Sequence, residues 1–283
     1  MSYKNLAEQD RTSMHSDHCG FRATILGCGS SGGVPRLGGY DGSGDWGNCD
    51  PLNPKNKRRR CSLFVERIDK TGKTQVLIDA SPDVREQLLS AKTGTLDALI
   101  LTHDHADHIH GIDDMRMIAF NKKAVLPVWA SESTAQSVFQ RFEYAFKTEK
   151  RYHQILEIVI IREKFTISGS GGDIVIHPFD VIHGPTKTLG FRIGDLVYTP
   201  DVAEIPDASW DTIFGCQCWI VDALRYRPHP THSHVEQTLS WIRRSQAERA
   251  ILTNMHCEID YDTVCKEIPD NVTAAYDGMM IAF

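Results

Sequence analysis

The chain lacks the features that would place it in a membrane, outside the cell or along a polymer. No stretch approaches the ~18 uninterrupted apolar residues of a membrane span. The first twenty residues, MSYKNLAEQDRTSMHSDHCG, are polar and have no apolar signal-peptide core, which predicts a frayed N-terminal tail over residues 1–20 and a cytoplasmic protein. There is no excess of positive charge either. The 31 Lys and Arg face 37 Asp and Glu, a net charge of −6, which argues against a surface that tracks nucleic acid. No repeat, low-complexity tract or linker divides the 283 residues. Eight cysteines make an even number, but in a large unexported chain they predict buried free thiols rather than a disulfide framework. With 41% hydrophobic and 24% charged residues, what remains is an ordinary globular chain. It reads as one domain over residues 21–283, and a chain of this length buries roughly 75% of its unfolded surface.

Apolar runs and turn residues set the expected elements. Strands are predicted at Phe21–Leu26, Ser62–Arg67 and Gln75–Asp79, the last two separated by a turn at Asp69–Lys73. A short helix is expected over Pro82–Leu89, with Ser81 as its cap and Pro at its first position. Leu96–Leu101 reads as a buried strand, followed by helical periodicity around Ile109–Phe120 and Glu132–Phe146. The second half repeats the mixture. Its strands are expected at Phe165–Ile167, Asp173–His177, Leu189–Ile193, Leu196–Tyr198, Trp219–Asp222 and Ala250–Leu252, and its helices at Val235–Gln246 and Asp262–Lys266. The pattern predicts an α/β sandwich of two antiparallel-rich sheets with helices outside.

Thirteen histidines are the abundant special residue, and their placement carries the chemistry. Thr102-His-Asp-His-Ala-Asp-His108 follows the strand ending at Leu101, so the strand delivers it to a loop. Its donors suit a divalent transition metal, and burying them unpaired would cost several kcal/mol. So compact a loop cannot turn all of them onto one ion. The natural division sets His103 and His105 on one metal, Asp107 and His108 on a neighbour. His183, Asp201 and His256 also stand at strand ends followed by turn residues, and supply the missing partners. A His/His/His site and an Asp/His/His site, bridged by one carboxylate, use all seven. Two ions about 3.5–4 Å apart can share a hydroxide and clamp both entering and leaving oxygens of a displacement.

This His-x-His-x-Asp-His pattern, with later His, Asp and His, resembles the metallo-β-lactamase superfamily from about Phe21 to the C-terminus. Gly27-Cys-Gly-Ser-Ser-Gly-Gly-Val-Pro35, Arg58-Arg-Arg-Cys-Ser62, Asp79-Ala-Ser81, His108-Ile-His-Gly111 and Pro230-Thr-His232 are similar to the PhnP-type cyclic phosphodiesterases. The coenzyme PQQ synthesis protein B and tRNase Z are more distant. The resemblance implies a four-layer αβ/βα sandwich and a dinuclear Zn or Mn centre that hydrolyses a phosphodiester, typically a cyclic ribose or nucleotide phosphate. It assigns His103, His105 and His183 to metal one, and Asp107, His108 and His256 to metal two, with Asp201 bridging. It also makes His232, rather than His234, the group that reaches the phosphate and protonates the leaving oxygen, a role suited to a side chain that titrates near neutrality. Asp107, Asp201 and His232 are thus the expected catalytic residues. The extra zinc site of PhnP has no full counterpart, since only Cys49 and Cys257 stand near its two places.

Other signals are weaker. Gly27-x-Gly-x-x-Gly32 follows a strand, but the Gly-Val-Pro-Arg-Leu-Gly-Gly that comes next cannot open a long helix, so a dinucleotide site is set aside. Ser30 and Ser31 in that loop, with His232 and Arg225, are the candidate substrate contacts, and Arg227 is a second-rank one. The basic run Lys55–Arg60 reads as a solvated face or as a rim that attracts phosphate. Cys216 and Cys218 read as buried thiols. Asp113 and Asp114 are candidates for orienting a ligand imidazole. The expected partner is a small phosphodiester or nucleotide-like substrate, with no membrane, no stable nucleic-acid complex, and room for a homodimer. Two other readings stand beside this one: a metal-dependent thioester or lactam hydrolase, and a non-hydrolytic nucleotide-binding or carrier protein resembling the PQQ protein.

Overall fold

The structure is a computed structural model that describes residues 20–148 and 153–283. The expected N-terminal tail therefore lies, but for Gly20, outside the described residues. Six strands, β1 (Gly20–Gly27), β2 (Ser62–Asp69), β3 (Gly72–Ile78), β4 (Ala98–Ile100), β5 (Leu126–Ala130) and β6 (Leu156–Ile160), lie side by side in chain order. Seven more, β7 (Phe165–Ile167), β8 (Ile174–His183), β9 (Thr186–Ile193), β10 (Leu196–Thr199), β11 (Cys218–Asp222), β12 (Arg249–Thr253) and β13 (Val272–Ala274), form a second sheet in the same way. The last strand, β14 (Met280–Ala282), returns to the first sheet beside β1. Each sheet is antiparallel at first and then parallel, the change coming at β3 and at β10. The sheets are thus evenly mixed rather than antiparallel-rich.

Alternation along the strands builds the layers. Leu63, Val65, Val76, Ile78, Ala98 and Ile100 point one way and share a core with Ile174, Ile176, Phe191 and Ile193 of the second sheet. Phe64, Leu77 and Leu99, one residue out of phase, meet the helices on the outer side. Those helices are α1 (Val84–Ser90), α2 (Ala106–Ile109), α3 (Met115–Lys122) and α4 (Glu132–Phe146). The second sheet is flanked by α5 (Trp210–Ile213), α6 (Val235–Ser245) and α7 (Tyr261–Glu267), which bury Trp210, Val235, Ile242 and Val264. The result is the αβ/βα sandwich.

Two local departures position the site. The first helix begins at Val84 rather than Pro82, because the Ser81 hydroxyl accepts the Asp83 N–H at 3.1 Å and closes a turn first. The helical stretch expected from Ile109 breaks at Gly111 into α2, a 3₁₀ turn and α3. Gly111 donates to the Ala80 carbonyl at 2.9 Å, and a Cβ there would lie 2.0 Å from the Ser81 carbonyl oxygen. Only glycine lets the end of α2 lie directly on the segment that follows β3. Strands β5 and β6 are missing from the sequence reading. Pro127, which pairs with Glu157, interrupts the first of them as a pattern without preventing it as a strand. Among the described residues no helix is long and apolar enough to cross a membrane.

Candidate metal centre

The catalytic candidates converge where strands end, as is usual for open α/β sheets. β4 leads into His103–His108, β8 ends on His183, β10 is followed by Asp201, and β11 ends on Asp222. His103, His105 and His183 bring nitrogens within 4.8 Å of one another, and so do the ligand atoms of His103, His108 and Asp201. Asp201 lies between the imidazoles. Its Oδ1 is 3.1 Å from His108 Nε2, and its Oδ2 is 3.8 Å from His183 Nε2 and 4.0 Å from His103 Nε2. Asp107 stands 3.6 Å from His108 Nε2. Asp104, the remaining polar residue of the loop, turns outward to Ser137 and Arg141 and ties the loop to α4.

Hydrogen bonds fix which ring nitrogens face the centre. Asp79, at the end of β3 and fully buried, accepts from His108 Nδ1 at 2.7 Å and from the Thr102 N–H and hydroxyl at 2.8 Å each. The Thr102 proton being given to Asp79, its oxygen accepts from His103 Nδ1 at 2.9 Å. His183 Nδ1 donates to the Thr231 carbonyl at 2.6 Å. All three rings therefore turn Nε2 rather than Nδ1 to the centre. Among the described residues, His103 Nε2, His108 Nε2 and Asp201 Oδ1 are buried without a well-formed hydrogen bond, the last two approaching to 3.1 Å. Orphaned lone pairs that face each other fit a cation.

The electrostatics agree. Burial, with His108 and the other imidazoles beside it, pushes His103 well below the usual histidine range, so it stays neutral. Burial also opposes charge on His108, yet Asp201 and Asp79 outweigh it and pull that ring well above the usual range. Burial would raise Asp201, but His108 and then His103 hold it far below the usual carboxylate range. The carboxylates bring more negative charge than the rings offset, which is a demand for a positive ion.

A cavity of about 300 Å³ opens onto this cluster, lined by His105, Asp107, His183 and Asp201 together with Ser30, Ser31, Arg225, His229, His232 and Asn254. His232 gives Nδ1 to Asp222 Oδ2 at 2.8 Å, leaving Nε2 as the nitrogen available to the cavity. Its pKa is pushed up to about 9, because the charge of Asp222 outweighs the opposing effect of burial. His234 instead caps α6, accepting from the Gln237 N–H.

His256 also lines the cavity, its Nε2 3.1 Å from Arg36, and like Asp107 it belongs to none of the donor groups found among the described residues. Other expectations need correction. Asp113 accepts from Tyr144 at the surface and orients no ligand, the role falling to Asp79. The basic run is not a solvated face. Arg58 is buried against Asn56 and the His256 carbonyl, Arg59 pairs with Asp277 at 3.0 Å, and Arg60 pairs with Asp83 at 3.1 Å. Arg227 pairs with Glu258. Cys49 donates to the carbonyls of Cys257 and Ile259, and neither thiol joins a donor group among the described residues. Cys216 and Cys218 are buried free thiols.

Sequence reasoning missed Asp79, Asp222, His229 and Asn254. A faint signal existed for the first two, each an acidic residue closing a run of three apolar ones. Asp79 and Asn254 both have positive φ, 65° and 59°. At such strand ends the strained backbone serves to aim a side chain.

Over residues 74–255 the chain matches the beta-lactamase superfamily domain. The chain belongs to the metallo-β-lactamase superfamily. A diphosphatase from the PhnP family, known from its crystal structure, is 32% identical, with 93% of this chain and 98% of that one covered and a TM-score of 0.81. The octanoyltransferase of Porphyromonas gingivalis is 30% identical over 261 residues, which are 91% of this chain and 51% of that protein. The exodeoxyribonuclease WalJ of Streptococcus pneumoniae is 28% identical over 171 residues, 57% of each. The chain thus spans little more than half the length of the curated relatives it matches. The cluster gives this member of the superfamily a donor set that fits a divalent metal ion.

Proposed function

We propose that the protein hydrolyses a small phosphodiester, of the cyclic ribose phosphate or nucleotide kind, with His232 as the proton donor to the leaving oxygen. The observation that carries the reading is the Asp222–His232 pair at the cavity wall. A buried carboxylate keeps the imidazole charged at neutral pH and presents its second nitrogen to the cavity. An alkoxide is a poor leaving group and requires such a donor. A thioester does not call for it, since a thiolate leaves unaided.

Divalent ions at His103, His105, Asp107, His108, His183 and Asp201 would lower the pKa of bound water to ~7 and offset the charge of phosphoryl oxygens. The chain's own groups do the rest. Ser30, Ser31 and Arg225 line the cavity beside His232 and are placed to hold phosphoryl oxygens, with His229 a fourth contact. The Arg225 guanidinium donates to the carbonyls of Arg227 and Pro228 and forms no salt bridge among the described residues, which suits it to meet an anion. Asp222 also accepts from the Val202 N–H at 3.0 Å, which locks its orientation and that of His232.

The test compares two leaving groups. For a phosphodiester that expels an alkoxide, His232→Ala lowers kcat by about 10²–10⁴-fold. For bis(p-nitrophenyl) phosphate, whose nitrophenolate leaves without a proton, the loss is far smaller. Equal losses on both substrates refute the assigned role, and turnover of a thioester but of no phosphodiester refutes the substrate class.

A further inference from the structure

The helix side of the first sheet is not fully covered. Pairing aligns Met280, Thr24 and Phe64 in one rank across β14, β1 and β2, with Arg22 opposite Glu66 two residues along. Residues paired in this way share a face, and Leu26 shares it too, two residues beyond Thr24. Leu26 and Phe64 pack with Val84 and Leu88 of α1, which ends at Ser90. Where the helix stops, a cavity of about 310 Å³ remains over these strands, lined in addition by Ala91 and Lys92. It matches the metal cavity in size and shares no lining residue with it.

Two chemistries meet in its walls. Leu26, Phe64, Ala91 and Met280 are apolar, whereas Arg22, Arg59 and Lys92 are cationic and face a single carboxylate, Glu66. Lys73 pairs with Glu66 at 3.6 Å and Asp277 with Arg59 at 3.0 Å, so even with these partners four cations stand against two carboxylates. That is an excess of positive charge on a chain whose net charge is −6. The donors are also held in place. Arg22 puts Nε and Nη2 on one oxygen of the buried Glu66, at 2.9 and 2.6 Å. Arg59 gives Nε to Asp277 and Nη1 to the Ser90 hydroxyl at 3.1 Å, and its Nη2 has no partner among the described residues. Among those residues the Lys92 ammonium and the Thr24 hydroxyl have no side-chain partner either. Fixed, unspent donors beside a positive excess favour an anion.

We infer that this cavity is a second ligand site, for a small organic anion. An apolar body lies on Leu26, Phe64 and Met280, and its phosphate or carboxylate is taken by Arg59, Lys92 and the Thr24 hydroxyl. A bare inorganic ion would leave the apolar floor wet, and a neutral molecule would leave the cations unmet. The site depends neither on the metal centre nor on the substrate chosen above.

The probe is anilinonaphthalene sulfonate, an apolar body with one anionic group, titrated by its fluorescence into the full-length, metal-loaded protein. The wild type shows a saturable site. Arg59→Lys, which keeps a charge for Asp277 but loses the fork, and Lys92→Asn each weaken it about 10–100-fold. Ala91→Trp fills the cavity and abolishes binding, and Arg225→Ala, in the metal cavity, leaves it unchanged. Lys92 is exposed at a φ of 54°, which asparagine tolerates, so that variant still decides the matter should Ala91→Trp fail to fold. Adenosine monophosphate and benzoate displace the probe while adenosine and benzyl alcohol do not, and the stronger of the two anions tells phosphate from carboxylate. The inference is overturned if no saturable site exists, or if Lys92→Asn and Arg59→Lys both bind as the wild type does. Equal displacement by the neutral compounds overturns it as well, as does a loss seen only with Arg225→Ala, which would put the probe in the metal cavity.

Discussion

Asp79→Asn is the substitution that most sharply tests how the centre is organised. One carboxylate governs two ligand rings, His108 directly and His103 through the Thr102 hydroxyl. Asparagine keeps the size of aspartate and tolerates the positive φ of 65°. It cannot keep the network, however. Its oxygen can still accept the Thr102 N–H, but its amide nitrogen then meets two donors, His108 Nδ1 and the Thr102 hydroxyl. Relief comes only if Nδ1 gives up its proton, which moves that proton to Nε2 and removes the lone pair that faces Asp201 and Asp107. The freed Thr102 hydroxyl likewise stops holding His103 in its present tautomer. Losing partners of this kind reduces metal affinity 10–100-fold, or about 1.4–2.7 kcal/mol. Breaking a buried hydrogen bond to a charged group costs the metal-free fold about 1.5–3 kcal/mol as well. The assay is competitive metal titration of stripped protein, with urea denaturation of the same samples to separate the two effects. Thr102→Val should lose only the His103 arm and show a smaller drop, and Thr102→Ser should match the wild type. Metal affinity within twofold of wild type in folded Asp79→Asn would falsify the view that this carboxylate sets the tautomers.

Other consequences can be measured independently. Chelation should lower Tm by roughly 5–10 °C, since ligand at a hundred times its Kd adds ~2.7 kcal/mol and each kcal/mol is worth ~2–4 °C in a chain of this size; an unchanged Tm after verified metal removal would contradict the centre. Gly111→Ala forces a Cβ against the Ser81 carbonyl and should cost about 1–3 kcal/mol in urea denaturation while weakening metal binding, because the Asp79–Ser81 segment must move. Full stability with full metal affinity would show that the close approach is not required. Asp260 caps α7 and accepts from Asp50 and Asn56; burial would raise its pKa, but these hydrogen bonds hold it down to about 2. A carboxylate with a depressed folded-state pKa stabilises the protein above its unfolded value of about 3.9, and the benefit fades as pH falls towards 2. Asp260→Asn should therefore be less stable than wild type at pH 6 and nearly equal to it at pH 2, and a gap that is constant with pH would refute the assignment.

The layers of the fold were legible because burial on two sides leaves a two-residue rhythm, as in Leu63-Phe-Val65 and Val76-Leu-Ile78, with one phase for the second sheet and the other for the helices. The histidine loop was legible because five metal-donor side chains in six residues are more than structure alone explains. What stayed hidden depends on neighbours distant in sequence. Nothing local to Asp79 or Asp222 distinguishes it from any acidic residue at a strand end; each matters because parallel pairing sets its strand beside one that carries a histidine or a second carboxylate. His256 is the contrasting case. Histidine is a ligand by type, so a lone histidine after β12 attracted the assignment. Strand β12 ends at Thr253, and the next residue, Asn254, turns into the cavity beside Asp222 and His232. Two residues further on, His256 has reached Arg36, a residue from the glycine-rich loop 220 positions earlier. A ring becomes a ligand only when its second nitrogen is held by an acceptor and its first is left with none. Asp79, Thr102 and the Thr231 carbonyl provide that for His108, His103 and His183, while Arg36 does the reverse to His256. Arg36→Ala should therefore free the His256 lone pair, and if tautomer control decides ligation, that variant alone will turn His256 onto the centre and tighten Zn²⁺ binding by stripped protein, whereas an unchanged affinity would refute the role given to Arg36.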